Sequence, residues 1–230
     1  NSYQLKNNIN KKKAIVTGCA GFIGSNLVDK LLLNNYQVIG IDNLVTGQIK
    51  FLNNSYKNKN FKFIKCDLLN IKKIKKIFKG AHIVFHFAAN ADVRYGSKHP
   101  YKDLEQNTIV TYNVLESMRV NNINKIVFCS TGSVYGEPKK FPTPENDKFP
   151  LQTSFYGASK LAGESLIQAY CESFGFKSWI FRFVSILGNR YTHGHVYDFC
   201  RQLFRNPKNL KVLGDGNQKK SYLHVNDCIN

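Results

Sequence analysis

Short apolar runs alternate with longer helical patterns over most of this chain, and that alternation limits its fold more than any other feature. KAIVTG (Lys13–Gly18) is followed by FIGSNLVDKLLLNN, QVIGID by a turn and FKFIKCD, then IKKIKKIFKG and HIVFHFAA. The span Asp103–Asn121, KIVFCS, SFYGASKLAGESLIQAYCESF and WIFRFVSIL continue the pattern. The runs are too short and too uniformly apolar for strands with one wet face. They suit strands covered on both sides, with helices returning the chain between parallel neighbours. The fold class expected is α/β, a doubly wound parallel sheet with helices on both faces, plus the start of a smaller C-terminal substrate domain. The Pro-bearing stretch GEPKKFPTPENDKFP is expected as a surface loop after the fifth strand. NLKVLGDGNQKKSYLHVNDCIN is expected as a strand, a Gly-Asp-Gly turn and a second strand-like segment. No closing helix follows it, so a further C-terminal portion is expected.

The first strand–helix junction carries VTGCAGFIGS, with Gly18, Gly21 and Gly24 spaced three apart and Phe22 and Ile23 between the last two. Small residues there let the backbone approach a pyrophosphate, whose charge the helix N-terminus stabilises. Asp42 ends the second strand, 24 residues after Gly18, where a carboxylate can accept from an adenosine ribose. The same carboxylate repels a 2′-phosphate, so the cofactor expected is NAD, on a Rossmann-type sheet. Cys19, inside the loop near the helix start, could have its thiol pKa lowered there, but it reads better as a small filler.

Composition narrows the class. Lys and Arg number 33 against 15 Asp and Glu, a formal charge of +18, which raises the question of a nucleic-acid or other anionic partner. The excess is mostly Lys scattered beside Asn and Ile instead of gathered in one block, so nucleic-acid binding is not the expected function. Six widely spaced cysteines with no C-x-x-C pair suit reduced thiols in the cytoplasm, not a disulfide framework or zinc site. No apolar run approaches the ~18 residues of a membrane span. KKKAIVTGCAGFIG imitates a signal peptide, but its glycines and strand-like AIVTG favour a first strand. No metal site is expected; alternating His193 and His195 are weak ligand evidence, and His86 reads as a core histidine.

SFYGASK places Tyr156 and Lys160 four residues apart, on one face of a helix. An ammonium beside a phenol favours the phenolate and would lower its pKa. The glycine triplet, Asp42-Asn43, CDL (Cys66–Leu68), HFAAN (His86–Asn90), STGSVYGEP and Tyr156-x-x-x-Lys160 occur in that order. This ordered set, from about Lys12 to the last residue, resembles the extended short-chain dehydrogenase/reductases acting on nucleotide sugars. Within them it is most similar to the NAD-dependent UDP-glucose 4-epimerase group.

The resemblance implies roles by position. Residues 11–184 would form the NAD-binding domain and 185–230 part of a sugar-nucleotide-binding region. Asp67 and Leu68 would hold the adenine end, and Ala88, Ala89 and Asn107 would line the dinucleotide groove. Asn43, Ser130 and Phe183 would complete the cofactor contacts. Thr131, Tyr156 and Lys160 would be catalytic, with Tyr156 as acid/base and Lys160 holding the nicotinamide ribose. Thr131, Ser133, Tyr156, Ser185 and Lys220 would meet the substrate. Ser185 stands where many members carry Asn, and Lys220 where a phosphate-binding Arg is common. Dehydratases and decarboxylases of the family place a carboxyl residue directly after the catalytic Thr; here Gly132 and Ser133 follow, which points to 4-epimerisation. The alternatives are a reaction on another nucleotide sugar and a non-catalytic, RNA-binding or regulatory relative. The resemblance also implies a homodimer through a helix bundle, placed on the small-residue stripe Ala158, Ala162, Ser165 and Ala169, with Glu164, Gln168 and Glu172 between the two faces of that helix.

Overall fold

A computed structural model describes residues 11–147 and 151–230. In chain order the elements are β1 (Lys13–Thr17), α1 (Phe22–Leu33), β2 (Gln37–Asp42), β3 (Phe61–Lys65), α2 (Ile71–Ile77) and β4 (Ile83–His86). Then come α3 (Val93–Lys98), α4 (Pro100–Asp103), a π-helical stretch (Leu104–Ile109), α5 (Val110–Arg119), β5 (Lys125–Thr131) and α6 (Phe155–Phe174). The chain continues with β6 (Lys177–Phe183), β7 (Ser185–Leu187), α7 (His195–Arg205), β8 (Tyr222–His224) and α8 (Val225–Ile229).

Strands β1 to β6 form one parallel sheet in the order 3-2-1-4-5-6, the doubly wound Rossmann arrangement expected. Ala14, Ile15, Val16 and Thr17 are fully buried, because the central strand is covered on both faces. On one side Leu27, Val28, Leu31 and Leu32 of α1 pack on β1 and β2. On the other, Ile74, Val114, Met118 and Ile167 of α2, α5 and α6 pack against Ile15, Val84 and Ile126. Helix α6 starts at Ser154, whose side chain accepts from the Gly157 N–H, and stops at Gly175 in the left-handed region at φ 66°. The strand order reverses between β1 and β4, opening a crevice at their C-terminal ends, where α/β sheets bind ligands.

Two expectations change. Residues 206–221 form no strand; they are exposed, and only Tyr222–His224 pairs, in parallel with β7. A segment with no neighbouring strand to satisfy its backbone stays irregular. Helix α8 then follows and packs on α1, with Lys30 Nζ donating to Asn230 Oδ1 at 2.6 Å. The expected loop after β5 is largely exposed through Asp147; its residues 148–150 lie outside the described ones.

Candidate active site

The glycine loop is pressed against the end of β4. Gly18 has φ +69°, and a Cβ there would sit 2.7 Å from the Ala88 nitrogen; at Gly24 it would run into the Gly18 carbonyl. Only glycine permits this approach. Strand β1, the loop and Ala88–Ala89 therefore share one wall of the crevice. Phe22 and Ile23 open α1, whose first-turn N–H groups lack intrahelical partners and face outward along its axis. Cys19 is buried beneath the loop, and burial pushes its thiol far up, so it is the inert filler and not an activated nucleophile.

Asp42 has a second task that its spacing did not reveal. Its Oδ2 accepts from the Ala20 N–H at 3.0 Å and its Oδ1 from the Leu44 N–H at 2.8 Å, clamping the glycine loop to the end of β2. Burial raises its pKa, with those two N–H groups opposing. Each oxygen keeps a lone pair for a further donor. Beyond it, Asn43 Nδ2 donates to Asp67 Oδ2 at 3.0 Å, and Asp67 Oδ1 accepts from the Leu69 N–H at 2.9 Å. A recess of about 390 Å³ opens here, lined by Asn43, Lys65, Cys66, Asp67, Asn70 and Lys73. Leu68 lies buried behind it, its carbonyl accepting from Asn113 Nδ2 at 3.1 Å.

A buried polar chain runs under the crevice floor. Thr17 Oγ1 accepts from the N–H groups of Phe87 and Ala88, at 3.1 and 3.2 Å, so its own proton goes to His86 Nδ1 at 2.7 Å. His86 therefore carries its proton on Nε2 and donates it to Thr111 Oγ1 at 3.0 Å. Burial, and then the charge of Lys160, lower the His86 pKa to about 3. It is a neutral core histidine, as read from the sequence. Asn107, in the π-helical stretch, accepts from the Asn90 N–H at 2.8 Å and donates to Ser159 Oγ at 2.9 Å, which donates to the Tyr156 carbonyl at 2.9 Å. It fixes α6 from behind.

At the end of β5, Thr131 Oγ1 accepts from the Ser133 N–H at 3.1 Å and donates to Ser133 Oγ at 3.2 Å. The Thr131 side chain bears on the Tyr156 phenol and draws its pKa down. The tyrosine and threonine singled out in the sequence thus meet, although 25 residues apart. Lys160 is buried, its ammonium donating to the Cys129 carbonyl at 2.8 Å and lying 4.8 Å from the Phe128 ring centre. Here the structure departs from expectation. Burial pushes the Tyr156 phenol well above its usual range, Cys129 adds to the rise, and the Thr131 side chain opposes it by less. Lys160 faces the strand, and burial lowers its own pKa.

Two buried carboxyl groups to which the sequence assigns no site role lie beside Tyr156 and Thr131. Glu164, read as lying between the two faces of its helix, is buried and accepts from Ser130 Oγ and from Arg182 of β6. Asp103, also buried, accepts from Asn90 Nδ2 at 2.7 Å. Phe183 ends β6, stacked on Phe181 with ring centres 5.6 Å apart. Two residues after Phe183, Ser185 pairs in register with Tyr222, whose hydroxyl meets His195 Nε2 at 2.5 Å, and Lys220 is exposed just before β8. Among the described residues no cluster of His, Cys, Asp and Glu could hold a metal, and no helix is long and apolar enough to cross a membrane.

Residues 14–230 match the family described as the NAD dependent epimerase/dehydratase family, and the chain belongs to it. A solved UDP-galactose 4-epimerase is 39% identical, with a TM-score of 0.84 over 94% of this chain and 69% of that one. The Thermotoga maritima UDP-glucose 4-epimerase, solved with UDP-glucose, is 33% identical, with a TM-score of 0.86 over 94% and 71%. The Bacillus cereus UDP-glucuronic acid 4-epimerase, solved with UDP-glucuronic acid and NAD, is 32% identical, with a TM-score of 0.87 over 94% and 70%.

Proposed function

We propose that this chain is an NAD-dependent nucleotide-sugar 4-epimerase, an isomerase that takes a UDP-hexose of the glucose/galactose type. The observation that carries the reading is that Tyr156, at the start of α6, meets Thr131 at the end of β5, with Gly132 and Ser133, and no carboxyl group, directly after Thr131. The kinship to three 4-epimerases of different UDP-sugars supports the reaction more firmly than it supports any one sugar.

The residues fit the cofactor. The Gly18 cradle that a Cβ would fill suits a pyrophosphate, and the spare lone pairs of Asp42 suit a ribose diol. The recess beside Asn43 and Asp67 suits an adenine ring. Lys160 would hold the nicotinamide ribose, with Ser130, Asn107 and Phe183 on that side of the groove. Bound there, NAD would supply the hydride acceptor and donor for the sugar C4.

Tyr156 takes the proton of the C4 hydroxyl, directly or through Thr131, and gives it back when the new alcohol forms. Burial alone holds the phenol too high for this task, so positive charge near the oxygen must bring it down; Lys160 and the nicotinamide are the candidates. Thr131 and Ser133 orient the hydroxyl under attack. Gly132 and Ser133 supply no acid or base for elimination or decarboxylation, so the ketone turns over and is reduced on its opposite face. Residues 11–184 form the cofactor domain in this reading. In residues 185–230, Ser185 and Lys220 meet the sugar nucleotide. Ala158, Ser165 and Ala169 are exposed on the outer face of α6, the place for a homodimer contact that dilution-dependent sedimentation would detect.

The test is incubation of the protein and NAD with UDP-, dTDP- and GDP-sugars, with products identified by NMR. Interconversion of UDP-glucose and UDP-galactose is expected. A 4-keto-6-deoxy or decarboxylated product would replace the reading with one of the family's other reactions.

A further inference from the structure

One turn beyond Lys160, on the same stripe of α6, lies a buried carboxylate for which the reaction above has no use. Glu164 is 2% exposed. Its Oε1 accepts from Ser130 Oγ, the residue next to Thr131, and from Arg182 Nε at 3.1 Å. Its Oε2 accepts from Arg182 Nη2 at 2.7 Å and Nε at 3.2 Å, a two-pronged pair. Arg182 stands opposite Ser130 in the β5–β6 register. Its remaining Nη1 donates to the Glu145 carbonyl at 3.0 Å, and its guanidinium lies 4.8 Å from the Tyr135 ring centre. One carboxylate thus ties the catalytic helix, the end of β5, the edge strand β6 and the loop after Thr131.

We propose that Glu164 is a positioning residue of the site: through Ser130 it fixes Thr131 at the end of β5, and it supplies the buried negative charge that offsets Lys160. The second half rests on the epimerase reading, in which Lys160 must stay an ammonium to hold the nicotinamide ribose. The titratable groups around Lys160 are Tyr156 and Glu164 on its own helix, Cys129 on β5 and His86 on β4, with Arg182 and Tyr135 behind Glu164. Asp103 bears on Tyr156 from α4. Glu164 lies four residues from Lys160 on the same buried side of α6. Cys129, which has the larger effect on Lys160, is itself held up by burial and His86 is neutral, which leaves Glu164 as the carboxylate that acts on Lys160. With Lys160, Glu164 and Arg182 charged, the cluster carries one net positive charge. Removing the acid makes it two, and removing the arginine makes it none.

The two deletions therefore act on Lys160 in opposite directions, which a purely structural role does not do. Glu164→Gln and Arg182→Gln are both expected to lower the melting temperature, since each breaks a buried pair. The deciding readouts are the pH dependence of NADH binding by fluorescence and the pH dependence of kcat. In Glu164→Gln the alkaline limb of both should move down by about one pH unit, and in Arg182→Gln it should move up by a similar amount. Glu164→Asp, which keeps the charge but shortens the reach to Ser130, should leave the limb in place and lower kcat about tenfold or more. Limbs that coincide with wild type in both Gln variants, or that move the same way, overturn the proposal. If wild type binds NADH yet converts no nucleotide sugar, the epimerase reading fails, while the binding limb still decides the role of Glu164.

Discussion

The two walls of the crevice are made differently. On the side of β1 and β4, backbone meets backbone: Gly18 lies against Ala88, Asp42 clamps Ala20 and Leu44, and Thr17, His86 and Thr111 pass their protons in one fixed order. On the other side, α7 buries none of its residues, and every residue from Leu203 to Tyr222 is exposed. Among the described residues its ties include the β7–β8 pair, α8 on α1, Arg190 Nη2 on Asp29 at 2.6 Å, Asn26 Nδ2 on the Asn189 carbonyl at 3.1 Å, an exposed Arg94–Asp198 pair at 3.8 Å, and Tyr191 edge-on to Phe22. The wall that the proposed function assigns to the cofactor is part of the core, so its shape cannot change without cost to the fold. The C-terminal region, which the proposed function assigns to the substrate, is laid on the surface, where side chains can be exchanged cheaply.

The sharpest break in that comparison is at the chemistry itself, where the walls meet. Tyr156→Phe removes one hydroxyl and is expected to lower kcat by about 10²–10⁴-fold while NADH binding, followed by fluorescence, changes little. Next in size is Gly18→Ala on the cofactor wall. A methyl group 2.7 Å from the Ala88 nitrogen, at φ +69°, has no room, so stability should fall by about 1–3 kcal/mol and NADH binding with it. Both would show in one thermal-shift titration with NADH.

The buried histidine of the same wall gives a pH signature. Its folded pKa is lowered to about 3 from 6.5, so between those values the unfolded chain binds more protons than the folded one. Stability is then complete above pH 6.5 and falls on acidification, at a rate approaching about 1.4 kcal/mol per pH unit. Urea unfolding from pH 7 to 5 should show this slope, and His86→Gln should flatten it between pH 6 and 5. The smallest effect belongs to the surface wall. Lys220→Ala should leave stability within about 0.5 kcal/mol of wild type and raise KM for the sugar nucleotide a few-fold, leaving NADH binding alone. A Lys220 variant that unfolds the protein, or a Gly18 variant that is silent, would erase the distinction between the walls.

What could be read from the sequence follows the same division. Gly18, Asp42 and the Tyr156–Lys160 pair are spaced by local geometry, so strand, turn and helix periods were enough to place them. The Glu164–Arg182 pair was not legible, because it depends on the register of β5 against β6 and not on spacing along one helix. Glu164 by its position looked like a flank residue. The second role of Asp42 as a loop clamp was hidden for a similar reason, since its partners are backbone N–H groups that carry no sequence signature. Lys160 was expected to lower the Tyr156 phenol, but helix spacing puts two side chains on a face without saying where their ends point. The ammonium turns to the Cys129 carbonyl, and burial dominates the phenol. The strand expected before the Gly-Asp-Gly turn had apolar residues but finds no neighbour to pair with among the described ones.

In the proposed reaction the sugar C4 is oxidised and then reduced on its other face within one site. Incubating the NAD-loaded protein with UDP-glucose deuterated at C4, in ordinary water, tests it directly. The account predicts UDP-galactose that keeps the deuterium at C4, because the hydride never leaves the site. UDP-galactose carrying solvent hydrogen at C4 would contradict it, since that outcome requires a proton, not a hydride, to be removed from the carbon.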